Sequence, residues 1–281
     1  MKVLVTGLDG FTGRYVQSEL ESHGHQVVGL KSDLTDLDAL KTEIADVKPQ
    51  GVIHLAAISF VGHGNSNDFY TVNLLGTRNL LEALEPFKET IQSVLLASSA
   101  NIYGNRSEGV LSEGSLADPC NDYAVSKSAM EQMACLWMGR LPVFITRPFN
   151  YTGIGQAEHF LIPKIVSHFK QKKDVIELGN IDVFRDFGDV RMVARSYRLL
   201  LEQAPVGEII NICTGKMHSL KNVIQACEKI TGHKIDIQVN PLFVRPNEVR
   251  TLVGDNSKLK EFAKESEVYD LTQTLQWMLG E

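Results

Sequence analysis

Short apolar runs alternate with longer stretches of helical periodicity through the first half of the chain. The runs at 3–5, 27–30, 52–55, 94–98 and 143–146 read as strands, being short and rich in valine, isoleucine and leucine. Between them, 12–23, 35–45, 67–84 and 123–138 carry apolar positions at helical spacing. Strands apolar at consecutive positions are buried on both faces, as in a parallel sheet covered by helices. Right-handed crossovers then wind the chain into a doubly wound α/β fold of the Rossmann type. After Pro148 the rhythm loosens, with helices expected at 160–170, 190–203 and 220–230 and strands at 209–212 and 235–239. The expected organisation is a dinucleotide-binding and catalytic part over 1–150. A smaller substrate lobe over 151–281 returns a strand and a helix to the sheet. Ligands of open α/β sheets bind outside the carboxyl ends of the strands, so the cleft between the two parts is the expected site.

Bulk composition narrows the functional classes. The 281 residues are 43% hydrophobic and 22% charged, enough to bury a full core. A formal net charge of −6 argues against a nucleic-acid partner. Cys120, Cys135, Cys213 and Cys227 show neither C-x-x-C nor zinc-finger spacing and are expected to be reduced, mostly buried thiols, with no metal site. The chain enters a strand pattern at its first residues, and no apolar run approaches the roughly 18 residues that cross a bilayer. A cytoplasmic enzyme without a membrane partner is the expectation.

Thr6-Gly7-Leu8-Asp9-Gly10-Phe11-Thr12-Gly13-Arg14 follows the first strand and opens a helix. Gly7, Gly10 and Gly13 allow a tight turn, so that backbone N–H groups and the helix N-terminus reach a diphosphate. The loop, including Phe11, is expected to bind a dinucleotide. An acid at the end of the second strand would grip the ribose 2′-hydroxyl of NAD. Lys31 stands there instead, with Arg14 as a possible second charge, which favours NADP(H) over NAD(H). Two alternatives remain: Lys31 as a solvated loop residue, and Asp33 reaching the ribose.

Tyr123 and Lys127 lie one helical turn apart. A free phenol titrates near about 10, and a cation beside it stabilises the phenolate, which gives a general acid–base for a carbonyl or hydroxyl. Ser98 and Ser99 close the fourth strand at the mouth of the cleft, where a hydroxyl can hold the reacting oxygen.

These residues carry a resemblance. The chain resembles the extended short-chain dehydrogenases/reductases, the family of nucleotide-sugar epimerases, dehydratases and reductases. Besides the glycine loop, Ser98-Ser99 and Tyr123/Lys127, the likeness includes His54-Leu55-Ala56-Ala57, Asn73-Leu74-Leu75-Gly76-Thr77 and Arg147-Pro148-Phe149-Asn150. It implies Ser99, Tyr123 and Lys127 as catalytic, with Ser98 second to Ser99 and Lys127 also holding the nicotinamide ribose. The 4,6-dehydratases of the family place Asp-Glu directly after the catalytic hydroxyl. Ala100 and Asn101 stand there in this chain, so elimination of water is not expected.

The 147–156, 179–187 and 211–215 segments resemble GDP-4-keto-6-deoxy-sugar reductases, and Arg245 to Arg250 resembles a nucleotide-gripping segment. Arg185 and Arg245 are expected on a diphosphate and Glu248 on a ribose or base. The implied function is NADPH-dependent 4-keto reduction of a nucleotide-diphosphate sugar, GDP-linked by preference, in deoxysugar precursor synthesis. A 4-epimerase with tightly held NAD and a non-catalytic nucleotide sensor are the alternatives. Family members dimerise through two helices each. Leu74, Leu75, Leu81, Met130, Met133 and Trp137 on 67–84 and 123–138 fit a homodimer of that kind.

Overall fold

The structure is a computed structural model that describes residues 1–59, 65–104, 109–244, 250–264 and 269–280. The first half runs β1 (Lys2–Thr6), α1 (Phe11–Ser22), β2 (Gln26–Gly29), α2 (Leu37–Val47) and β3 (Gly51–His54). It continues with α3 (Ser66–Asp68), a π-helical stretch Phe69–Gly76, α4 (Thr77–Leu84), β4 (Ser93–Ala97), α5 (Asp122–Cys135) and β5 (Val143–Pro148). After β5 come β6 (Asn150–Thr152), α6 (Leu161–Lys170), β7 (Val175–Leu178), β8 (Phe184–Arg185), β9 (Phe187–Asp189) and α7 (Val190–Gln203). The rest is β10 (Ile209–Ile212), β11 (His218–Ser219), α8 (Leu220–Thr231), β12 (Asp236–Val239), β13 (Thr251–Leu252), α9 (Ser257–Phe262) and α10 (Leu271–Leu279).

Six strands form one parallel sheet in the order β10-β5-β4-β3-β1-β2. Alternate side chains of each strand feed two separate cores. Val3, Val5, Ile53, Leu95, Phe144 and Ile210 face α1 and α7. Leu4, Val52, Val94, Leu96, Val143 and Ile145 face α2, α4 and α5. Both faces must be apolar, which is why the strands read as unbroken apolar runs. Local chemistry starts the helices: Asp36 caps α2, Asn121 caps α5, Asp189 caps α7, and Ser219 and Asp270 build capping boxes on α8 and α10.

The chain leaves β1 for β2 on one side and returns to β3 on the other. That reversal opens a crevice at the carboxyl ends of β1 and β3, the standard ligand position of such sheets. Beyond β5, short strand pairs (β6 with β9, β7 with β12, β8 with β11 and β13) and α6, α8 and α10 enclose a third core built on Phe169, Phe187, Ile224 and Leu275. α7 packs against α1, and β10 extends the sheet beside β5.

Several elements differ from the sequence reading. The helix expected over 67–84 is interrupted by its π-helical stretch, where Asn73 turns inward, wholly buried, to bond the backbone of Ile58. α5 ends at Cys135, short of 138. The helix α10 and the two- and three-residue strands of the second half had no periodicity long enough to be read. Only Cys213 and Cys227 are buried, whereas Cys120 is half-buried and Cys135 exposed, so the expectation of mostly buried thiols is met by half of them. Of the six apolar residues considered for a dimer contact, Leu81, Met130 and Trp137 are consumed by the chain's own core, while Leu75 stays 52% exposed. Among the described residues, no helix is long and apolar enough to cross a membrane.

One buried ion pair locks α5 to β5. Arg147 donates to Glu131 through Nη2 at 2.7 Å and Nε at 3.0 Å, and through Nη1 to the Tyr103 hydroxyl at 3.0 Å. Removing one partner of such a pair strands the other charge out of water. Glu131→Gln is therefore expected to cost about 3–5 kcal/mol of stability in urea unfolding. A loss below about 1 kcal/mol would show that Arg147 finds solvent instead.

Candidate active site

The glycine turn after β1 is folded against its own backbone. Gly7 takes a left-handed conformation (φ 70°), and a Cβ there would lie 3.0 Å from the Ala56 nitrogen. A Cβ on Gly13 would meet the Leu8 carbonyl oxygen at 2.3 Å, a collision with backbone that cannot give way. The turn therefore needs glycine at both positions, and it packs directly on the exit of β3. Gly10 is the N-cap of α1 and supplies no side-chain cap, so the first N–H groups of the helix remain available to a ligand. A side-chain-free cradle at an uncapped helix N-terminus fits the diphosphate of a dinucleotide. Phe11 follows in the first turn, but its ring faces protein: it stacks on Tyr151 (centroids 6.2 Å apart, planes 13° apart) and meets Tyr15 edge-on.

A chain of buried hydrogen bonds connects this cradle to α5. The Thr6 hydroxyl accepts the N–H groups of Leu55 (3.1 Å) and Ala56 (3.0 Å). Its own proton is thereby directed to His54 Nδ1 at 2.7 Å. Thr77 donates to the Asn73 carbonyl at 2.7 Å, which leaves its oxygen to accept from His54 Nε2 at 2.9 Å. This bonding assigns His54 as the neutral Nε2–H tautomer. Desolvation, with Lys127 nearby, pushes its pKa down to about 3. Asn73 bonds Ser126 at 3.0 Å, and Ser126 donates to the Tyr123 carbonyl.

Tyr123 and Lys127, both buried, lie on α5. Ser98 and Ser99 follow β4 and are buried as well. The Ser99 side chain hydrogen-bonds Tyr123 and accepts the N–H of Asn101 at 3.2 Å. Lys127 Nζ donates to the Ala97 carbonyl at 2.7 Å. The Ser98 hydroxyl is buried without a hydrogen-bond partner. The three residues expected to be catalytic thus converge on the carboxyl end of β4.

Their electrostatics correct one expectation. Tyr123 is pushed up to about 12, chiefly by burial, while the Ser99 hydrogen bond pulls it down and Tyr151 pushes it further up. Lys127 is not what sets it: the ammonium is held by Ala97 and is itself lowered to about 8 by desolvation, against the opposing field of Glu131.

The cofactor-end residues fall differently. Lys31 is exposed just beyond β2. Its N–H and that of Ser32 donate to the carboxylate of Glu43, reaching across from α2. Glu43 places an acid at this strand end after all, with its oxygens turned to the loop backbone, a contact that no local pattern announces. Asp33 is engaged by Thr35 through N–H and hydroxyl, both at 2.8 Å. Arg14 extends toward Gly155, where its Nη2 lies 3.7 Å from the position of a Cβ.

On the substrate side, Arg185 is buried and gives Nη1 to the carbonyls of Phe184 (2.9 Å) and Arg250 (3.2 Å). Asp186, wholly buried, pins the loop after β10 through Thr214 and Gly215. Arg245 and Glu248 lie outside the described residues. Tyr151, which contacts Phe11 and Thr12 beside the cradle, falls in the 147–156 segment, and the resemblance gives it no role.

Fold and site together define an extended short-chain dehydrogenase/reductase. Residues 30–273 match the GDP-mannose 4,6 dehydratase family. The chain is 37% identical to GDP-6-deoxy-D-talose 4-dehydrogenase of Aggregatibacter actinomycetemcomitans, over 92% of this chain and 90% of that one. It is 32% identical to GDP-6-deoxy-D-mannose reductase of Pseudomonas aeruginosa, over 100% and 96%. Among solved structures, a Burkholderia cenocepacia J2315 protein described as a candidate epimerase superposes with a TM-score of 0.93 at 45% identity, covering 99% and 97%. RMD from Pseudomonas aeruginosa, solved with NADPH, superposes with a TM-score of 0.88 at 30% identity, covering 99% and 98%. The chain belongs to the GDP-mannose 4,6-dehydratase-like family of extended short-chain dehydrogenases/reductases, and it is a nicotinamide-dependent oxidoreductase.

The two shifted groups set a pH dependence. Lys127 carries its charge below about 8, and Tyr123 keeps its proton up to about 12, so cation and proton donor coexist only below about 8. Turnover in the reducing direction is expected to hold below that pH and to fall as pH rises through it. A kcat profile that stayed flat to about pH 10 would show that the Lys127 charge is not required.

Proposed function

We propose that the protein reduces the 4-keto group of a GDP-linked 6-deoxy sugar with NADPH. The observation that carries this reading is the convergence of Ser99, Tyr123 and Lys127 beside an uncapped glycine cradle, on a chain whose relatives include a GDP-6-deoxy-D-talose 4-dehydrogenase and a GDP-6-deoxy-D-mannose reductase. The bound dinucleotide supplies hydride to the keto carbon. Ser99 hydrogen-bonds the keto oxygen and orients it. Tyr123 gives that oxygen its hydroxyl proton as negative charge develops. Lys127 supplies positive charge beside the phenol and holds hydroxyls of the nicotinamide ribose. Ala100 and Asn101 offer no carboxyl pair, so the site does not eliminate water. Lys31, exposed beyond β2, supports NADPH over NADH by pairing with a 2′-phosphate.

A 4-epimerase is the second reading, favoured by the description of the Burkholderia protein. It would use the same three residues with a cofactor that is not consumed. Turnover decides between them: stoichiometric NADPH loss with a GDP-4-keto-6-deoxy sugar fits the reductase, and sustained epimerisation without added cofactor overturns it. We also propose a homodimer through the helical segments 69–84 and 122–136, with Leu75, Val125 and Leu136 as its exposed apolar contacts. Sedimentation as a single 31.2 kDa species would eliminate it.

Two substitutions test the chemistry. Tyr123→Phe is expected to lower kcat about a hundred- to ten-thousand-fold with little change in cofactor affinity. Retention of most activity would remove Tyr123 from the mechanism. Lys31→Asp is expected to move the NADPH/NADH ratio of kcat/KM toward NADH by about tenfold, the size of one charged hydrogen bond. An unchanged ratio would mark Lys31 as a solvated loop residue.

A further inference from the structure

Tyr151 carries a phenol for which the proposed chemistry has no use. It sits on β6, half-exposed, with Asn150 before it open to solvent and Thr152 after it buried. Its hydroxyl lies 2.7 Å from the Thr12 hydroxyl, in the first turn of α1. Its ring stacks on Phe11 in the same turn. It also lies close enough to Tyr123 to raise the cost of ionising that phenol. Burial raises its own pKa, so it stays a protonated hydroxyl at neutral pH.

These contacts place Tyr151 between two fixed points. A dinucleotide whose diphosphate lies in the cradle at the start of α1, and whose hydride-bearing ring reaches Tyr123, must cross from one to the other. The adenosine half leaves in the opposite direction, toward the end of β2 and Lys31. Tyr151 touches Thr12 and Phe11 at the start of the first path. The Tyr151–Thr12 pair shares one hydrogen bond and retains one proton and several lone pairs. Such a pair complements an amide or a ribose hydroxyl, both of which the nicotinamide riboside carries.

We propose that Tyr151, poised by Thr12, is a further cofactor-binding residue that contacts the nicotinamide half of the dinucleotide. The proposal rests on the dinucleotide site described above but not on the choice between NADPH and NADH. Tyr151→Phe keeps the ring stacked on Phe11 and removes only the hydroxyl. Thr12→Val does the same from the other side of the pair.

The test is calorimetric titration of wild type, the two single variants and the double variant with NADPH, NADH and two adenine-side fragments, ADP and 2′,5′-ADP. Either single variant is expected to weaken whichever full dinucleotide the wild type binds by about five- to tenfold, the effect of one neutral hydrogen bond. The fragments should bind as before. The double variant should be no weaker than either single one, because both remove the same shared pair. Unchanged affinity for the full dinucleotide in Tyr151→Phe would overturn the proposal. Equal weakening of fragments and dinucleotide would also overturn it, by showing that the hydroxyl merely shapes α1. A wild-type protein that bound neither dinucleotide would fail the cofactor reading itself, a different outcome.

Discussion

The imidazole of His54 is held between two threonine hydroxyls, and the geometry of the site hangs on that small polar chain. Thr6 ends the strand that launches the cofactor cradle, and Thr77 begins α4. Every donor in the chain has an acceptor: backbone N–H to Thr6, Thr6 to His54, His54 to Thr77, Thr77 to Asn73, Asn73 to Ser126, Ser126 to the carbonyl of Tyr123. A fully satisfied buried network tolerates one arrangement and penalises others, because a broken link leaves a polar group unpaired away from water. The network thereby fixes the placement of α5 relative to the glycine turn. Keeping His54 neutral belongs to the same constraint, since a charge there would face the Lys127 ammonium.

A second layer of tethers holds the later half of the chain onto this frame. Arg147 and Glu131 clamp β5 to α5, and Tyr103 passes the connection to Asn211 on β10 at 2.6 Å. On the opposite side of the cleft, Arg191 pairs with Asp189 and lies over the rings of Tyr269 and Trp277. Trp277 in turn meets Tyr15 of α1 edge-on. The last helix, α10, is thus connected through aromatic contacts to α1, the helix that the glycine turn opens.

The site also shows how burial reshapes a familiar pair. A lysine one turn from a tyrosine suggests a phenol made acidic by a neighbouring cation. In the folded chain both groups are desolvated, which pushes the phenol up and the ammonium down, and the ammonium is occupied by a backbone carbonyl. Buried this way, the phenol keeps its proton near neutrality.

Much of this was legible in the chain itself. The apolar strand runs fixed a parallel sheet, because only burial on both faces accounts for Val3, Leu4 and Val5 in succession. Glycines 7, 10 and 13 and the one-turn spacing of Tyr123 and Lys127 were readable because glycine-only backbone geometry and helical spacing are local properties, whereas Ser99 was set above Ser98 by the family resemblance. What the tertiary structure alone decided depends on partners distant in sequence. Glu43 reaches the end of β2 from α2, Arg185 turns to backbone carbonyls, Leu81, Met130 and Trp137 disappear into the core, and Tyr151 meets Thr12. Each is a contact between segments whose own patterns are silent about one another. The physical reason is that periodicity reports which face of an element is apolar, while hydrogen-bond partners and charge environments are set by which elements come to lie side by side.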